Sequence, residues 1–397
     1  MTKSVLKFFF GFFLTIIIIT LKPFINIRVG KYPDRLGPFV VIPDIWINKK
    51  KLLNKKSLDL WSYSTSSLPN SFLSKMIGRK LIFVPAFIYS SLNHFFSILK
   101  LNELKKIYFL KGYTRDSKNI IDRFKPLLEF KKSEIIEAEE ILKRNKIDIS
   151  KKIVCINVRD SFYLNKILPN NLNYYHDRRD ADINNYIKVI KYLISKNYLV
   201  VRTGKFMKEK LAFQNENFLD YPFCNFKTDL LDIYFGYKCH MVISTGSGWD
   251  GIPYVFRKPI LYTNFSSHSK FQLSSYRHMS IFKLVKNNKK EYLKVNELLE
   301  NDLKLITNIY QPNKTVFTNF EYIENTEDEL LDATKEFEKY IKNNFNTDEE
   351  QNKYNLKFLS NFDTLKVNDV YGEPAHSMLL KGKICSSFLK KYDDILF

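Results

Sequence analysis

The sequence predicts an α/β protein of two domains. Two stretches carry this prediction, because each has the pattern of a buried strand, a polar loop, a helix and a second buried strand. The first stretch runs from Lys152 to Gly204 and the second from His240 to Asn264. Such a unit implies two parallel strands joined by a right-handed crossover. At 397 residues the chain is also long for one domain, which favours two.

The N-terminus carries an apolar run from Phe8 to Leu21. As a helix this run would be roughly 21 Å long, shorter than a hydrocarbon core of about 30 Å. Extended to Val5–Phe24, with Lys7 and Lys22 reaching the interface, the helix can just span a membrane. A signal peptide is the alternative, although no small-residue cleavage site follows. We expect residues 1–25 to be a membrane anchor that, if monotopic, leaves the chain at the cytoplasmic face of the inner membrane.

Residues 26–148 are expected to form an N-terminal α/β domain, although the periodicity there is weak. Ser133 is a suitable N-cap for a helix that ends at Arg144 and links this domain to the next. The strand candidates are Phe39–Ile47, Leu81–Phe83 and Lys106–Leu110, and the helix candidates are Ser71–Ile77 and Ser90–Leu99.

Residues 149–322 are expected to form a second, Rossmann-like domain. Its crossover helix is well marked, because Asp182 is a suitable N-cap, Asn197 is a suitable stop, and the apolar residues between them share one face. Those residues are Ile183, Tyr186, Ile187, Ile190, Leu193 and Ile194. A further helix over Asp229–Tyr237 is expected to lead into the strand at Met241.

Residues 323–397 are expected to form a helical C-terminal extension. An amphipathic surface helix is predicted over Glu324–Asn344, and the polar stretch Asp348–Asn355 is expected to be mobile. No internal repeat of about 20 to 50 residues is evident, so a solenoid is not expected.

The chain is strongly basic, with 63 Lys and Arg against 42 Asp and Glu and a net charge of +21. This balance suits nucleic acid, anionic lipid or phosphorylated substrates, but an AT-rich genome explains it equally well. No zinc-finger spacing, RNP-type strand or Arg-rich tract is present, so nucleic acid is not an expected partner. The four cysteines form no C-x-x-C motif, which argues against a disulfide scaffold or a zinc site.

A glycine-rich turn, Ser244–Gly248, ends one strand and precedes a helix. Its glycines permit close backbone approach, and its hydroxyl and N–H groups suit a diphosphate at the helix N-terminus. It has neither the G-K-[ST] of a P-loop nor G-x-G-x-x-G, and a plain turn is the alternative. Asp250 is expected to bond ribose or sugar hydroxyls, or else only to favour the helix dipole.

Arg159 directly follows a buried strand, and Arg202 lies at the end of the neighbouring parallel strand. Arginine forms forked, charge-assisted hydrogen bonds with phosphate. The alternative for Arg159 is a salt bridge with Asp160 or another carboxylate. Two arginines at one sheet edge favour phosphate binding, because an anion relieves their mutual repulsion.

The loop Tyr174–Asp182 is dense in ionisable groups. His176 or a carboxylate of this loop can act as general base towards an acceptor hydroxyl, and a plain loop histidine is the alternative. Asp180 and Asp182 match the D-x-D pattern that holds a metal–nucleotide complex in some transferases. We expect no metal, because Asp182 is explained as an N-cap and Asp180 as a first-turn dipole partner or an ion pair with Arg178.

Five segments resemble, in order, a family of bacterial glycosyltransferases linked to surface-polysaccharide assembly. They are IRVGKYPDRLGPF (27–39), CINVRDSFY (155–163), HDRRDADINNYIKVIKYLISKNYLVVRTG (176–204), VISTGSGWDGIPYVFRKPILYTN (242–264) and ICSSFLKKYDDIL (384–396). The resemblance covers nearly the whole chain from Ile27 onwards. Its most specific part is the central block, where Arg-Asp-Ala-Asp opens a helix and Val-Arg-x-Gly ends the next strand.

More distantly, the strand followed by Arg159 is similar to the arginine motif of GT-B fucosyltransferases, in which the arginine binds the β-phosphate of the donor. Those motifs often carry a histidine before the arginine, and Asn157 takes the nearby position here. The Thr245–Gly248 turn matches the place where GT-B enzymes hold nucleotide phosphates. The resemblance implies two Rossmann-like domains facing a cleft, an acceptor-side N-terminal domain, a donor-side C-terminal domain and catalysis without a metal.

The residues and the resemblance together imply a membrane-associated GT-B glycosyltransferase that needs no cofactor. It would move a sugar from a nucleotide-sugar to a lipid-linked or polysaccharide acceptor. The expected general bases are His176, Asp160, Asp177 and Asp180. The expected ligands of the nucleotide are Asn157, Arg159, Arg202, Gly204, Ser244, Thr245, Gly246, Ser247, Gly248 and Asp250. Two alternatives stay open, a surface-glycan transferase of the pyruvyl or glycerophosphate type and a non-catalytic membrane-bound scaffold.

Overall fold

The chain divides into two compact units. A computed structural model describes residues 2–63, 68–110, 116, 119–167, 178–266, 273–300, 320–361 and 380–397. The first unit comprises Met1–Asp116 and Phe124–Lys131, and the second comprises Ser117–Arg123 and Lys132–Phe397. Each unit contains a parallel sheet, which confirms the predicted α/β class.

The first unit is built around a three-stranded sheet. Its elements are α1 (Thr2–Leu21), β1 (Ile27–Lys31), α2 (Leu36–Leu52), β2 (Leu58–Tyr63), α3 (Ser71–Gly78), β3 (Ile82–Pro85), α4 (Ala86–Ile98) and α5 (Asn102–Tyr108). The strands lie in the order β1-β2-β3 and are all parallel. Trp61 on β2 is fully buried and meets the rings of Tyr32 and Trp46 edge to face, which gives the unit an aromatic core. Both predicted helices are present, as α3 and α4.

The helix α2 lies where the sequence predicts a strand over Phe39–Ile47. That prediction is wrong because the run is apolar except for Asp44, and periodicity cannot separate a short buried strand from a buried helix. The strand predicted over Lys106–Leu110 is also wrong in most of its length, since α5 continues to Tyr108. Only Phe109 pairs with a strand residue, Val29.

The N-terminal helix α1 lies along α4 and belongs to the first unit. Gly11 permits the close approach, because a Cβ there would lie 2.7 Å from Phe95 Cβ and would overlap the carbonyl oxygen of Ser91. The rings of Phe8 and Phe95 also pack together, with centroids 5.2 Å apart. By length and composition the helix over Lys3–Leu21 is able to cross a membrane. One face of α1 nevertheless packs against α4, so this helix is part of the first unit.

The second unit contains the remaining helices and strands that the structure describes. They are α6 (Ile120–Arg123), α7 (Lys132–Arg144), β4 (Ile153–Asn157), α8 (Phe162–Ile167), α9 (Ile187–Ser195), β5 (Leu199–Arg202), β6 (Phe218–Asp220), α10 (Asp229–Lys238), β7 (Met241–Ser244), α11 (Gly251–Val255), β8 (Ile260–Phe265), β9 (His278–Phe282), β10 (Leu284–Lys286), α12 (residues 295–300), β11 (Glu321–Ile323), α13 (Glu327–Lys342), α14 (Glu349–Ser360), β12 (Lys383–Ile384), α15 (Ser386–Lys391) and α16 (Asp393–Leu396). Short 3₁₀ helices lie at Ile183–Tyr186 and Tyr221–Phe223.

Seven of these strands form one sheet in the order β12-β9-β8-β7-β4-β5-β6, and every neighbouring pair is parallel. The strands β10 and β11 form a separate antiparallel pair.

The helix α7 packs in this unit rather than in the N-terminal domain predicted for it, because Glu139 accepts a 2.9 Å hydrogen bond from Tyr234 on α10.

The crossover between β4 and β5 confirms the predicted helix. The 3₁₀ turn at Ile183–Tyr186 continues directly into α9, and the Asp182 carboxylate caps it by accepting a 2.8 Å bond from the N–H of Asn184. Ile190 on α9 is fully buried. The helix stops before Asn197, whose φ of 62° is left-handed and typical of a helix end.

Residues 323–397 are part of the second unit rather than a separate extension. The strand β12 pairs in parallel with β9 and so joins the main sheet, and α13 packs against α9. The helix α13 confirms the predicted amphipathic helix. The stretch Asp348–Asn355, for which the sequence predicts mobility, forms the first part of α14 and its N-cap, because the side chains of Asp348 and Gln351 form a capping box.

Candidate functional site

The candidate site lies at the carboxyl edge of the seven-stranded sheet, where β4 and β7 end side by side. Asn157 and Ser244, the last residues of the two strands, are register partners. Beyond them, the N–H of Thr245 donates to Asn157 O at 3.1 Å, and the N–H of Arg159 donates to Thr245 Oγ1 at 2.9 Å. The two loops that the sequence singles out therefore meet, as expected at this edge of a parallel sheet.

Asp250 holds the glycine-rich turn in shape. Its Oδ1 accepts from Ser244 Oγ at 2.7 Å, and its Oδ2 accepts from the N–H of Ser247 at 2.6 Å. Burial raises the pKa of this carboxyl to about 6, although these hydrogen bonds act in the opposite direction. The sequence predicts Asp250 as a ligand of ribose or sugar hydroxyls, or else as a partner of the helix dipole. In the structure the carboxylate is buried, and both of its oxygens accept hydrogen bonds from the turn.

The two glycines of the turn contribute differently. Gly246 has a φ of 84°, which side-chain-bearing residues rarely adopt. A Cβ at this position would also lie 3.2 Å from the ring of Phe265. Gly248 is exposed, and Ser247 beside it is half-buried. Gly246 therefore sets the backbone path of the turn, and Ser247 and Gly248 are its solvent-accessible residues.

Arg159 and Lys283 converge on Asp180 beside this turn. The guanidinium of Arg159 forms an ion pair with the Asp180 carboxylate, and Lys283 Nζ donates to the carbonyl oxygen of Asp180 at 2.6 Å. Lys283 is 4% exposed, and its amine lies 3.7 Å from a carboxylate oxygen of Glu324. The sequence offers Asp180 as a first-turn dipole partner or as an ion-pair partner of Arg178, and the structure shows an ion pair between Asp180 and Arg159.

Arg178 and Arg179 complete the positive cluster. The guanidinium of Arg179 donates to the carbonyl oxygen of Gly246 in the turn. Arg178 donates to Tyr322 Oη at 3.2 Å and lies 5.8 Å from the centroid of that ring. We call Arg159, Arg178, Arg179 and Lys283 the cationic cluster.

The pKa values of two members of this cluster are lowered. Burial lowers the pKa of Arg179 to about 10, and the charges of Arg159 and Arg178 act in the same direction. Burial also lowers the pKa of Lys283. Both shifts mean that the charged forms are costly in this environment, and an anion bound beside them would stabilise them. The arrangement is chemically suited to a phosphate group.

Three members of the cluster, Arg178, Arg179 and Lys283, are not among the site residues that the sequence predicts. The Arg178–Arg179 doublet stands in the ionisable loop and was available as a signal. Lys283 carries no local signal, because 103 residues separate it from Asp180. Lys283 lies between β9 and β10, and the order of the strands in the sheet places it beside the loop that contains Asp180.

Asn157 and Arg202, both predicted as ligands of a nucleotide, have structural partners. Asn157 Nδ2 donates to Thr203 Oγ1 at 3.0 Å. Arg202 Nη1 donates to Glu209 O at 2.9 Å and lies 3.4 Å from both carboxylate oxygens of Asp220, and its side chain is 2% exposed. Because these bonds cross-link the ends of β4, β5 and β6, both residues stabilise the sheet edge.

Gly204 and Asp160 shape the neighbouring loops. Gly204 has a φ of 143°, and a Cβ there would collide with the side chain of Met207. Asp160 Oδ1 accepts from the N–H of Phe162 at 3.0 Å, and its Oδ2 accepts from the N–H of Lys208 at 2.9 Å. Gly204 therefore acts through the backbone, and Asp160 ties two loops together at the surface.

Two of the predicted bases, His176 and Asp177, lie outside the described residues. Over the described ranges, no group of three or more His, Cys, Asp or Glu side chains is placed to hold a metal ion. Asp182 is an N-cap and Asp180 is an ion-pair partner, so each acid of the D-x-D pattern has a structural role.

The fold and the site define an α/β protein with a cation-rich site at the carboxyl edge of a parallel sheet. No family model and no curated protein matches the chain. Among solved structures, it is similar to a glycosyl transferase family 9 protein from Veillonella parvula, with a TM-score of 0.38 and 10% identity over 59% of this chain and 79% of that one. It is also similar to ADP-heptose LPS heptosyltransferase II from E. coli, with a TM-score of 0.37 and 12% identity over 70% of this chain and 98% of that one.

Proposed function

We propose that this chain is a metal-independent glycosyltransferase of the GT-B type. It moves a sugar from a nucleotide-sugar to a lipid-linked or polysaccharide acceptor in surface-glycan synthesis. The observation that carries the proposal is the convergence of Arg159, Arg179 and Lys283 on the glycine-rich turn and its neighbouring loop. When a sugar leaves a nucleoside diphosphate, negative charge develops on the diphosphate, and fixed cations and N–H groups stabilise that charge.

Arg159 is held in a fixed position for this task. Its backbone N–H donates a hydrogen bond to Thr245, and its guanidinium forms an ion pair with the Asp180 carboxylate. The carbonyl oxygen of Asp180 in turn accepts a hydrogen bond from Lys283. A guanidinium has five N–H donors in a planar fork, so Arg159 can hold Asp180 and a phosphate oxygen at the same time. In this proposal Asp180 is a positioning residue rather than the general base.

The general base is expected in the loops that follow β4. His176, Asp177 and Asp160 are the candidates. Each oxygen of Asp160 accepts one backbone N–H bond and keeps a further lone pair with which to accept a hydroxyl proton from the acceptor. Replacement of each candidate in turn should identify the base by the loss of turnover at unchanged nucleotide affinity.

We also propose that the protein is held at the cytoplasmic face of a membrane by α1. The outward face of this helix is apolar and exposed, at Val5, Leu6, Phe9, Phe12, Phe13, Ile16 and Ile17. Because the opposite face packs against α4, insertion into one leaflet fits these contacts better than a crossing surrounded by lipid. The net charge of +21 adds attraction to anionic lipid.

Calorimetric titration of the full-length protein in detergent with UDP, GDP, CMP, ADP and dTDP tests the proposed function. The full chain is used because α1 is packed into the first unit. We expect one nucleotide to bind selectively and Arg159→Ala to weaken its binding by roughly 10- to 100-fold, the loss for a hydrogen-bonded charged group. The matched control is Arg144→Ala, since that arginine belongs to the same unit and is 75% exposed.

The outcomes of this titration decide between the candidate functions. If no nucleotide binds to the folded protein, the sugar-nucleotide proposal is rejected in favour of a pyruvyl or glycerophosphate transferase or a scaffold. If Arg159→Ala binds as tightly as the wild type, that arginine is not part of the site. Turnover of the sugar conjugates of the selected nucleotide then identifies the donor.

A further inference from the structure

A cavity of about 400 Å³ lies in the first unit at the carboxyl ends of its strands. Lys31 is the last residue of β1, Tyr63 is the last of β2, and Ala86 directly follows β3. All three residues line the cavity, together with Lys7 of α1 and several residues of α4. Open α/β sheets bind ligands at this edge. The residues of the cationic cluster belong to the other unit, and none of them lines this cavity.

The cavity wall is positively charged. Lys7 and Lys31 line it, no carboxylate does, and neither lysine forms an ion pair within the described part of the chain. His94 Nε2 is hydrogen-bonded to Ser4 Oγ at 2.9 Å, which ties α4 to the start of α1 beside the cavity. The other polar wall residues are Ser62, Tyr63, Tyr89, Ser90, Asn93 and Ser97, of which Ser62 and Ser90 already donate to carbonyl oxygens. Two ammonium groups among neutral hydroxyl, amide and imidazole groups suit a phosphate group.

The helices that form this cavity expose apolar side chains on their outer faces. Phe9 and Phe13 of α1 are 55% and 59% exposed, and Phe87 of α4, next to the wall residue Ala86, is 51% exposed. Phe10 of α1 packs on Phe87 with ring centroids 5.2 Å apart, so the two apolar surfaces are continuous. A small soluble phosphate would leave this surface in water, whereas a lipid would cover it.

We propose that this cavity binds the phosphate or diphosphate headgroup of a lipid. Lys7 and Lys31 neutralise the phosphate, and the hydrocarbon chain lies against the exposed faces of α1 and α4. The inference rests on the proposed function and deepens it, because a phosphate-linked lipid that carries the glycan is then the acceptor class. Lys7 directly precedes the apolar run, which places its ammonium group at the boundary between headgroup and hydrocarbon.

Lys3 allows this site to be distinguished from general attraction to anionic membranes. It is exposed on the same helix, one turn before Lys7, and does not line the cavity. A lysine near an anionic surface strengthens binding by about fivefold whatever the headgroup. Lys3→Ala and Lys7→Ala should therefore lose this general part alike, while only Lys7→Ala and Lys31→Ala should lose the part that depends on the phosphate headgroup.

The test is flotation of the full-length protein with phosphatidylcholine vesicles that contain phosphatidic acid or, at equal surface charge, phosphatidylserine. We expect the wild type and Lys3→Ala to prefer phosphatidic acid, and Lys7→Ala and Lys31→Ala to lose about tenfold or more of that preference. Equal behaviour of the three variants, or no preference in the wild type, overturns the inference. Calorimetric binding of inorganic phosphate alone with comparable affinity would assign the cavity to free phosphate and also overturn it.

The nucleotide titration of the same variants keeps this inference separate from the proposed function. Nucleotide binding without a headgroup preference would overturn only the lipid site. A headgroup preference without nucleotide binding would overturn the glycosyltransferase proposal, and the cavity would then remain a lipid-phosphate site with another purpose.

Discussion

The N–H of Arg159 donates a 2.9 Å hydrogen bond to Oγ1 of Thr245, 86 residues further along the chain. This bond joins the loop after β4 to the glycine-rich turn after β7. The next residue of the turn, Gly246, accepts a bond from Arg179 through its carbonyl oxygen. The guanidinium groups and the turn are thus held together by the fold itself. Donors fixed in this way need no reorganisation when charge develops on a bound ligand.

Replacement of Arg179 by lysine should weaken nucleotide binding by about tenfold and leave the fold intact. Lysine keeps the charge but loses the planar fork that can reach Gly246 O and a phosphate oxygen together. Calorimetry with the selected nucleotide measures the change, and Arg144→Lys on the surface of the same unit is the control. An unchanged affinity in Arg179→Lys would mean that only the charge at this position matters.

Replacement of Arg202 by alanine should destabilise the protein without changing the nucleotide affinity of its folded fraction. The substitution leaves the Asp220 carboxylate buried without its ion-pair partner, which costs about 3 to 5 kcal/mol of the free energy of unfolding. Urea unfolding measures this loss. If the nucleotide affinity falls as far as in Arg159→Ala, Arg202 belongs to the binding site after all.

Gly246→Ala should distort the turn and lower both stability and nucleotide affinity. The residue has a φ of 84°, so an alanine there is strained by about 1 to 2 kcal/mol, and its Cβ would lie 3.2 Å from the Phe265 ring. Gly78→Ala is a suitable control, because a Cβ at Gly78 meets no atom within 4 Å. A Gly246→Ala protein with wild-type stability and binding would show that the turn adapts without cost.

Asp250 should make the free energy of unfolding decrease as the pH rises from about 4 to about 6. Burial raises its pKa from 3.8 to about 6. A carboxyl group whose pKa is higher in the folded state binds protons more tightly there than in the unfolded chain. Its contribution to stability is therefore present below the unfolded pKa and is lost as the pH rises through the folded pKa, by up to about 1.4 kcal/mol per pH unit.

Urea unfolding of the wild type and Asp250→Asn across this pH range isolates that contribution, because asparagine does not titrate. The difference in unfolding free energy between the two proteins should shift steadily in favour of the variant as the pH rises. A difference that stays constant from about pH 4 to 6 would show that the folded-state pKa of Asp250 is not raised.

Gly11→Leu should separate α1 from α4 and abolish the headgroup preference of the cavity. A leucine side chain would overlap Ser91 O and approach Phe95, and overpacking of this kind costs about 1 to 3 kcal/mol. Because Lys7 reaches the cavity only through α1, its ammonium group would be displaced. The flotation assay measures the effect, and Ile16→Leu on the exposed face of α1 is the control. A Gly11→Leu protein that keeps the preference for phosphatidic acid would show that the α1–α4 contact does not build the site.

Features with local signals could be predicted from the sequence. The crossover helix was predicted with its cap at Asp182, since an N-cap and a 3.6-residue apolar period involve only neighbouring residues. The loop after β4 and the glycine-rich turn were expected to lie together, because the carboxyl ends of parallel strands meet at one edge. By contrast, the sequence does not identify α2 as a helix, because a helix buried on several sides lacks a distinct polar face.

By itself, the sequence determined the α/β class, the two strand–helix–strand units and the apolar helix at the N-terminus, because apolar period, caps and run lengths are properties of adjacent residues. Only the tertiary structure decided which charged groups share a site. In the folded protein Arg202 forms an ion pair with Asp220, and Lys283 donates a hydrogen bond to Asp180, which is 103 residues away in the chain. Partners so distant in sequence are selected by strand order and packing, and neither leaves a trace in the spacing of residues along the chain.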